Sequence, residues 1–462
     1  MNTSSSGIGN GIDMATMRLT PRHYWIVFVA SLGQLIGTGV ATLAGIIIPM
    51  IEILRHPELS SFMQGLIGAI DLIGIAIGSV IFGRLSDRYG YILFFRLCPL
   101  LIFVAAATAA LIPHVSVLVI ALFFVGLGIG GEYSLDSGYI SELMPDKWKA
   151  TMVGVAKAAS AFGNIIVAAV CFGLITYWHK AEMWPHLMWI IAVIAGVMFI
   201  VRIWFYQSPK WLLDQGKKKQ AEAAVKKFLG PDVVIKESSS AAHPVTPQTK
   251  MSFFKFISSN WRQVILSGIP WACEGLGVYG IGVFLPVLVM ALGLEHAGAH
   301  ELPIMHVASS VEITLWISCI ILPGFILGLW LIARKMYLPR IQTYGFLLSA
   351  VAMIILGLSY HFKWPHWISI GAFMAFELFL NMGPHLITYV LPPVIYPVEI
   401  RGQGSGLAAS IGKIGAVLAV FFIPFLLKVG GAITVLAVSA AVMLIGGLVT
   451  RTFGPKVIPE KK

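Results

Sequence analysis

The sequence predicts an all-α membrane protein of twelve transmembrane helices, arranged as two pseudo-symmetric halves of six. Three observations carry this. Of 462 residues, 58% are hydrophobic and only 11% charged, against about 25% charged in a soluble domain, so the chain lacks the polar residues to cover a water-facing surface. Twelve apolar segments approach or reach the roughly 20 residues a helix needs to cross the hydrocarbon core. The longest polar interruption, roughly 207–260, divides them six and six.

In chain order, the first six segments lie near 24–50, 62–82, 91–112, 115–140, 151–176 and 186–206. The second six lie near 262–292, 307–333, 341–360, 366–391, 403–427 and 431–450. This gives a tail over 1–23, a half over 24–206, a linker over 207–260, a half over 261–450 and a tail over 451–462. The opening MNTSSSGIGNGIDMATMRLT lacks the charged region, short apolar core and cleavage site of a signal peptide, so the first span is expected to be kept. In the linker, SPKWLLDQGKKKQAEAAVKKFLG places Trp211, Leu212, Ala221, Ala224, Val225 and Phe228 on one helical face and lysines on the other. The pattern predicts an amphipathic helix on the membrane surface. The following PDVVIKESSSAAHPVTPQTK has linker composition and little to bury.

The net charge of +11 reflects topology rather than a nucleic-acid partner. With the N-terminus in the cytoplasm, only Arg55, Lys180, Lys363 and Lys428 of the 32 Lys and Arg fall outside, while Lys157, Arg202 and Lys413 lie within spans. This is the positive-inside distribution, and it predicts cytoplasmic termini and a multi-pass protein of the plasma or bacterial inner membrane. The four cysteines, Cys98, Cys171, Cys273 and Cys319, all fall in apolar runs and read as small core residues.

The halves echo each other. MPDKWKATMVG holds Pro145, Lys149 and Gly154; YPVEIRGQGSG holds Pro397, Arg401 and Gly406 at the same spacing, each between a fourth and a fifth span. Duplicated halves are how many secondary transporters are built, with substrate at the midplane between the repeats. After the second span comes GRLSDRYG, residues 83–90, physically a tight basic turn. It resembles the signature loop of the major facilitator superfamily, and QSPKWLL, 207–213, resembles the segment after span six of its sugar-porter-like members. The resemblance covers nearly the whole chain and implies the major facilitator fold. It also implies a gating role for Gly83, Asp87 and Arg88; Arg401, the counterpart of Lys149 in the repeat, is assigned to gating with them. The matching place in that half, IARKMYLPR, keeps Arg334 but lacks the aspartate and glycines.

Ionisable side chains inside spans are rare, face cavities and are functional by default. Here Glu132, Asp136 and Tyr139 form one helical stripe, and Glu377, Asn381, Pro384 and His385 a second. Gln34, Thr38 and Thr42 form a third. Glu274 lies in span seven, Lys157 with Ser160 and Asn164 in span five, and Lys413 in span eleven. Asp136 lies about as far before the loop at Pro145 as Lys157 lies after it, so they are expected to pair, either as a structural ion pair or as part of the site. His385 and Lys413 are likewise placed about the loop near Pro397. Asp71 shares a face with Gln64, Gly68 and Gly78; close packing accounts for the glycines and coupling to the gating loop for the acid, which does not read as a ligand.

NMGPHLITYVLPPVIYPVEIRGQGSGLAASIGKIGAV, 381–417, resembles spans ten and eleven of the phosphate:proton symporters within the superfamily, and GLGIGGEYSL resembles their span four. That resemblance implies that Glu132 carries the proton, Tyr133 and Asn381 contact substrate, and Lys413 faces the anion. Trp271 and Glu274 resemble a Trp and an acid of the family's span seven, one residue short in spacing. Span one lacks the family's acid, Ser160 replaces a glutamine, and His385 stands where an asparagine is usual.

The expected function is proton-coupled symport of a small anion, phosphate or an organic acid, by a monomer working by alternating access. A carboxylate in a semi-apolar cavity holds its proton more readily than one in water; with Lys157 keeping Asp136 ionised, Glu132 would titrate. Proton coupling is therefore expected at Glu132, Asp136 and Glu274. Substrate binding is expected at Gln34, Tyr133, Lys157, Ser160, Trp271, Glu274, Glu377, Asn381, His385 and Lys413. The alternatives are a proton antiporter for organic cations, because cavity acids outnumber lysines, and a sugar or polyol symporter. A sensor would need a large signalling domain, and an enzyme would need a metal-ligand set, nucleophile elbow or phosphate loop; none is visible, and no cofactor or metal is expected. The outer histidines, including His296, His300 and His306 in LEHAGAHELPIMH, read as solvated loop residues, with external pH sensing as the alternative.

Overall fold

In a computed structural model of the chain, residues 12–54, 59–230, 233–234, 253–298, 300–396 and 400–459 are described. The first four spans are single helices: Pro21–Leu54, Ser61–Tyr89, Tyr91–Leu111 and Val115–Leu143. Span 5 is a pair, Lys149–Ala158 and Ser160–Trp178, and span 6 is Met188–Arg202 behind the 3₁₀ turn Ala181–Leu187. Span 7 runs Trp261–Gly275, passes through a π-helical turn at Leu276–Ile281 and ends with Leu285–Ala291. Span 8 is Pro303–Cys319 with Ile321–Ala333, span 9 is Leu338–His361, and span 10 is His366–Met382 with Pro384–Val390. Spans 11 and 12 form one run, Arg401–Val457, broken at Gly431 with φ 67° and ψ −168°, a backbone that favours glycine.

The surface of the spans is apolar, as lipid requires: Val104, Ile120, Val193, Leu348 and Leu448 are all exposed. Inside, close helix contact replaces the hydrophobic effect as the driving force. Spans 2 and 4 cross where Gly74 and Gly78 meet Gly126 and Gly130. A Cβ on Gly78 would lie 2.0 Å from the Leu127 carbonyl oxygen, and one on Gly126 would lie 2.1 Å from that of Asp71. Asp71 is buried in this crossing, its Oδ1 accepting from the Leu72 N–H at 2.7 Å.

Two sequence expectations change. The GRLSDRYG turn is mostly helix: span 2 continues to Tyr89, and Gly90 alone, at φ 89°, reverses the chain. The linker's amphipathic face packs largely on protein. Its two helices, Pro209–Asp214 and Lys218–Leu229, bury Leu212 against Ala221 and Ala224, and Val225 and Leu229 against Met17 and Val233. Small alanines let this face pack closely, and a short parallel pairing of Ile12–Asp13 with Val233–Val234 fixes the N-terminal segment there. Ser208 caps the first helix through the Trp211 N–H and also bonds Glu142 of span 4.

The halves touch at the end of the bundle away from the termini. A Cβ on Gly45 of span 1 would lie 1.7 Å from the Val283 carbonyl oxygen of span 7. One on Gly65 of span 2 would lie 2.4 Å from that of Phe421 of span 11. Toward the terminal side spans 2 and 11 instead line a cavity, through Val80 and Gly406 among others. The molecule is closed on one side and holds its main cavity toward the other.

Candidate functional site

The stripe on span 4 is buried, and its partner is not the one its spacing suggests. Glu132 and Asp136 are fully or almost fully buried, and both meet Arg202, the last residue of span 6, itself 0% exposed. Arg202 Nη1 lies 2.5 Å from Glu132 Oε2, and Nη2 lies 3.3 Å from Asp136 Oδ1. The same nitrogens donate to the carbonyls of Phe95 and Val29 at 3.2 Å, and the guanidinium stacks 3.7 Å over the Phe95 ring. Arg96 fixes the end of span 6 by donating to the carbonyls of Arg202, Ile203 and Phe205, a cation at a helix C-terminus. Gly33 of span 1 covers the carboxylates so closely that a Cβ there would lie 2.6 Å from Asp136 Oδ2. Glu132 Oε1 and Asp136 Oδ2 remain buried without a hydrogen-bond partner.

The Asp136–Lys157 pair is therefore corrected. Lys157 turns away from Asp136 and into the central cavity. There its Nζ donates to Gln34 Oε1 at 3.4 Å and lies 5.3 Å over the Tyr133 ring and 6.0 Å over Tyr389. Lys413 donates to the Tyr279 hydroxyl at 3.0 Å and lies 4.4 Å over its ring and 5.7 Å over Tyr133. His385 Nδ1 is 2.5 Å from Glu274 Oε1, so its partner is Glu274 rather than Lys413.

The structure divides the expected binding residues between two spaces. Gln34, Tyr133, Lys157, Trp271, Glu274 and Lys413 line a cavity of about 1000 Å³. Ser160, Glu377 and Asn381 line a second chamber of about 40 Å³, together with Thr38, Thr42 and Asn164. His385 and Tyr279 line both and stand between them. Asn381 Nδ2 donates to Glu377 Oε2 at 3.1 Å within the small chamber, and Thr42 donates to Asn164 at 3.0 Å. Glu132 and Asp136 line neither space.

At the span 2 end, Gly83 faces Ser134, and Arg88 lies over its neighbour Tyr89 at 5.3 Å. The side chains of Asp87 and Arg401, and Pro397 altogether, lie outside the described residues. Around the histidine tract, His306 Nδ1 lies 3.7 Å from Glu295 and the His296 N–H donates to Ser309. Among the described residues no three His, Cys, Asp or Glu are placed to hold a metal.

Residue spacing missed Arg202, Tyr279 and Tyr389. Arg202 carried its own signal, a charge inside a span. Tyr389 continues the 377–381–385 stripe by one more turn. Tyr279 is five residues after Glu274, off a regular helical face; the π-helical turn at Leu276–Ile281 adds the residue that aligns the two.

Residues 16–458 match the sugar (and other) transporter family. The chain belongs to this family. It is one of transporters, not enzymes, and the chain is a multi-pass membrane transporter of the major facilitator fold. An inner membrane metabolite transport protein of Escherichia coli is 25% identical, over 88% of this chain and 86% of its own length. The niacin transporter of Acinetobacter baylyi is 25% identical, over 86% and 85%. A repressible high-affinity phosphate permease of Neurospora crassa is 25% identical, over 75% and 67%. Among solved structures, the xylose transporter of E. coli in a partially occluded inward-open conformation superposes with a TM-score of 0.75 at 19% identity, covering 96% of this chain and 99% of that one.

Proposed function

We propose that this family member carries a small anion, phosphate or an organic acid, across the membrane together with a proton. One observation carries the reading. The large cavity holds two lysines whose direct partners are neutral, Gln34 and Tyr279, and one acid, Glu274, already held by His385. Buried cations without acidic partners are costly and are kept where a ligand supplies the charge. The same geometry weakens the organic-cation antiporter. Its premise was a surplus of cavity acids, yet Glu132 and Asp136 sit with Arg202 outside the cavity and Glu377 lies in the separate chamber.

Coupling follows from charge arithmetic. Two carboxylates share one guanidinium, so the Glu132–Asp136–Arg202 cluster carries one uncompensated negative charge when both acids are ionised. One proton neutralises it and removes the repulsion an incoming anion would feel. The proton belongs to the pair rather than to one residue, which replaces the division of labour expected from Lys157. The positive-inside distribution supports a cytoplasmic cavity side, and on this proposal the closed and open sides are those of an inward-facing member of an alternating-access pair. The gating assignments to Gly83, Asp87, Arg88 and Arg401 belong to the same proposal.

The test is thermal stabilisation of the purified protein across phosphate, short organic acids, xylose and tetraalkylammonium salts. Stabilisation by an anion that is lost when both cavity lysines are replaced, Lys157→Gln with Lys413→Gln, supports the reading. Stabilisation by the cations alone, or by xylose alone, contradicts it.

A further inference from the structure

We infer that the transported anion is an aromatic monocarboxylate, its carboxylate on Lys157 and its ring between Tyr133 of the first half and Tyr389 of the second. The inference rests on the anion reading above and narrows it.

A phosphate presents oxygens on every side and no apolar body, so it calls for several converging N–H and O–H donors. Lys157 has no such surroundings. Its one hydrogen-bond partner among the described residues is Gln34, at a long 3.4 Å, and its ammonium group faces the rings of Tyr133 and Tyr389. Much of the wall beyond is apolar, Ile73, Ile77, Val80, Ile414, Val417 and Leu418, with Ser79, Thr388 and Ser410 set among them. A cavity of about 1000 Å³ with such walls suits an apolar body with one charged end. Lys413 is the more firmly held cation, bonded to Tyr279 at 3.0 Å within its own half, which leaves Lys157 as the easier seat for a new charge-assisted bond.

The rings give the body its shape. Tyr133 and Tyr389 come from spans 4 and 10, and both centroids lie within 6.0 Å of the same ammonium group. Trp271 of span 7 meets Tyr389 edge-on, with centroids 6.2 Å apart at 75°, and braces it. A carboxylate placed on Lys157 would therefore bring its substituent between rings of opposite halves. Flat rings gain from stacked and edge-to-face contacts that a puckered ring makes less well. Because the two rings belong to different halves, a ligand that joins them favours closure of the cavity, so occupancy and conformational change are linked through the same contacts.

The test is isothermal titration of the purified full-length protein with sodium benzoate, cyclohexanecarboxylate, acetate, inorganic phosphate and benzylammonium. Benzoate is expected to bind about tenfold tighter than cyclohexanecarboxylate, the sum of two aromatic contacts. Tyr389→Leu should cut that preference to about threefold, with the Tyr133 contact left, and Tyr389→Phe should keep it. Should Tyr389→Leu fail to fold, the wild-type ratio decides. Acetate or phosphate binding as tightly as benzoate, in a Lys157-dependent way, overturns the aromatic inference and leaves the anion reading standing. Binding of benzylammonium with none of the anions overturns both.

Discussion

Arg202 Nη1 lies 2.5 Å from Glu132 Oε2, with both side chains wholly removed from solvent. A second buried acid, Asp136, takes the other arm of the same guanidinium. The cluster is held from four directions: by Arg96 at the end of span 6, by Gly33 above the carboxylates, by the Phe95 ring and by the Val29 carbonyl.

Removing only the cation leaves two buried carboxylates facing each other. Arg202→Met should cost about 3–5 kcal/mol, the penalty for breaking a buried ion pair from one side, read as a lower melting temperature in detergent. Arg202→Met with Glu132→Gln and Asp136→Asn together should recover most of that loss. A single variant as stable as wild type would mean that the acids are already neutral in the resting protein.

The cavity lysines should behave oppositely. Lys157 has a neutral partner in Gln34 and no acid within ion-pair distance among the described residues. Lys157→Met keeps the stem and removes the buried charge, so the unliganded protein should gain about 1 kcal/mol while anion binding is lost. Stability falling together with binding would mark Lys157 as structural.

Gly45 tests alternating access. Its would-be Cβ lies 1.7 Å from a backbone oxygen of the opposite half, so Gly45→Leu should disfavour this closed side and populate the alternative conformation. Ala409 lines the cavity. Modification of an Ala409→Cys probe by a membrane-impermeant maleimide, in vesicles exposing the terminal side, should slow several-fold in the Gly45→Leu background. Unchanged labelling would place the moving interface elsewhere.

Glycines separate by what surrounds them. Gly78→Ala drives a methyl to 2.0 Å from the Leu127 carbonyl oxygen, whereas Gly357 and Gly371 have open space. Folded yield should drop for Gly78→Ala, with a cost of about 3 kcal/mol or more, and stay near wild type for Gly357→Ala and Gly371→Ala. Size-exclusion profiles of the three variants distinguish these outcomes.

The fold was legible because it depends on composition and on apolar length, both one-dimensional properties. Even the break between spans 11 and 12 falls at Gly431, where the second apolar segment was expected to begin. The site was legible only in part, because it depends on rotation about each helix axis. Spacing within span 4 put Glu132 and Asp136 on one face correctly, but nothing within that span says that the face meets the end of span 6. Distance from the loop at Pro145 points Asp136 to Lys157, because distance along a helix carries no information about azimuth. Tyr279 was hidden for a different reason: a π-helical turn changes the residue count per turn, so its register with Glu274 is not periodic.

The most direct measurement is uptake into proteoliposomes of an anion first shown to stabilise the protein, with a proton gradient imposed across the membrane. Coupling through the Glu132–Asp136–Arg202 cluster predicts wild-type accumulation that rises as external pH falls. Glu132→Gln should lose both accumulation and pH dependence yet keep anion exchange within a few-fold of wild type. A Glu132→Gln protein that still concentrates the anion against its gradient would contradict the coupling role of this cluster.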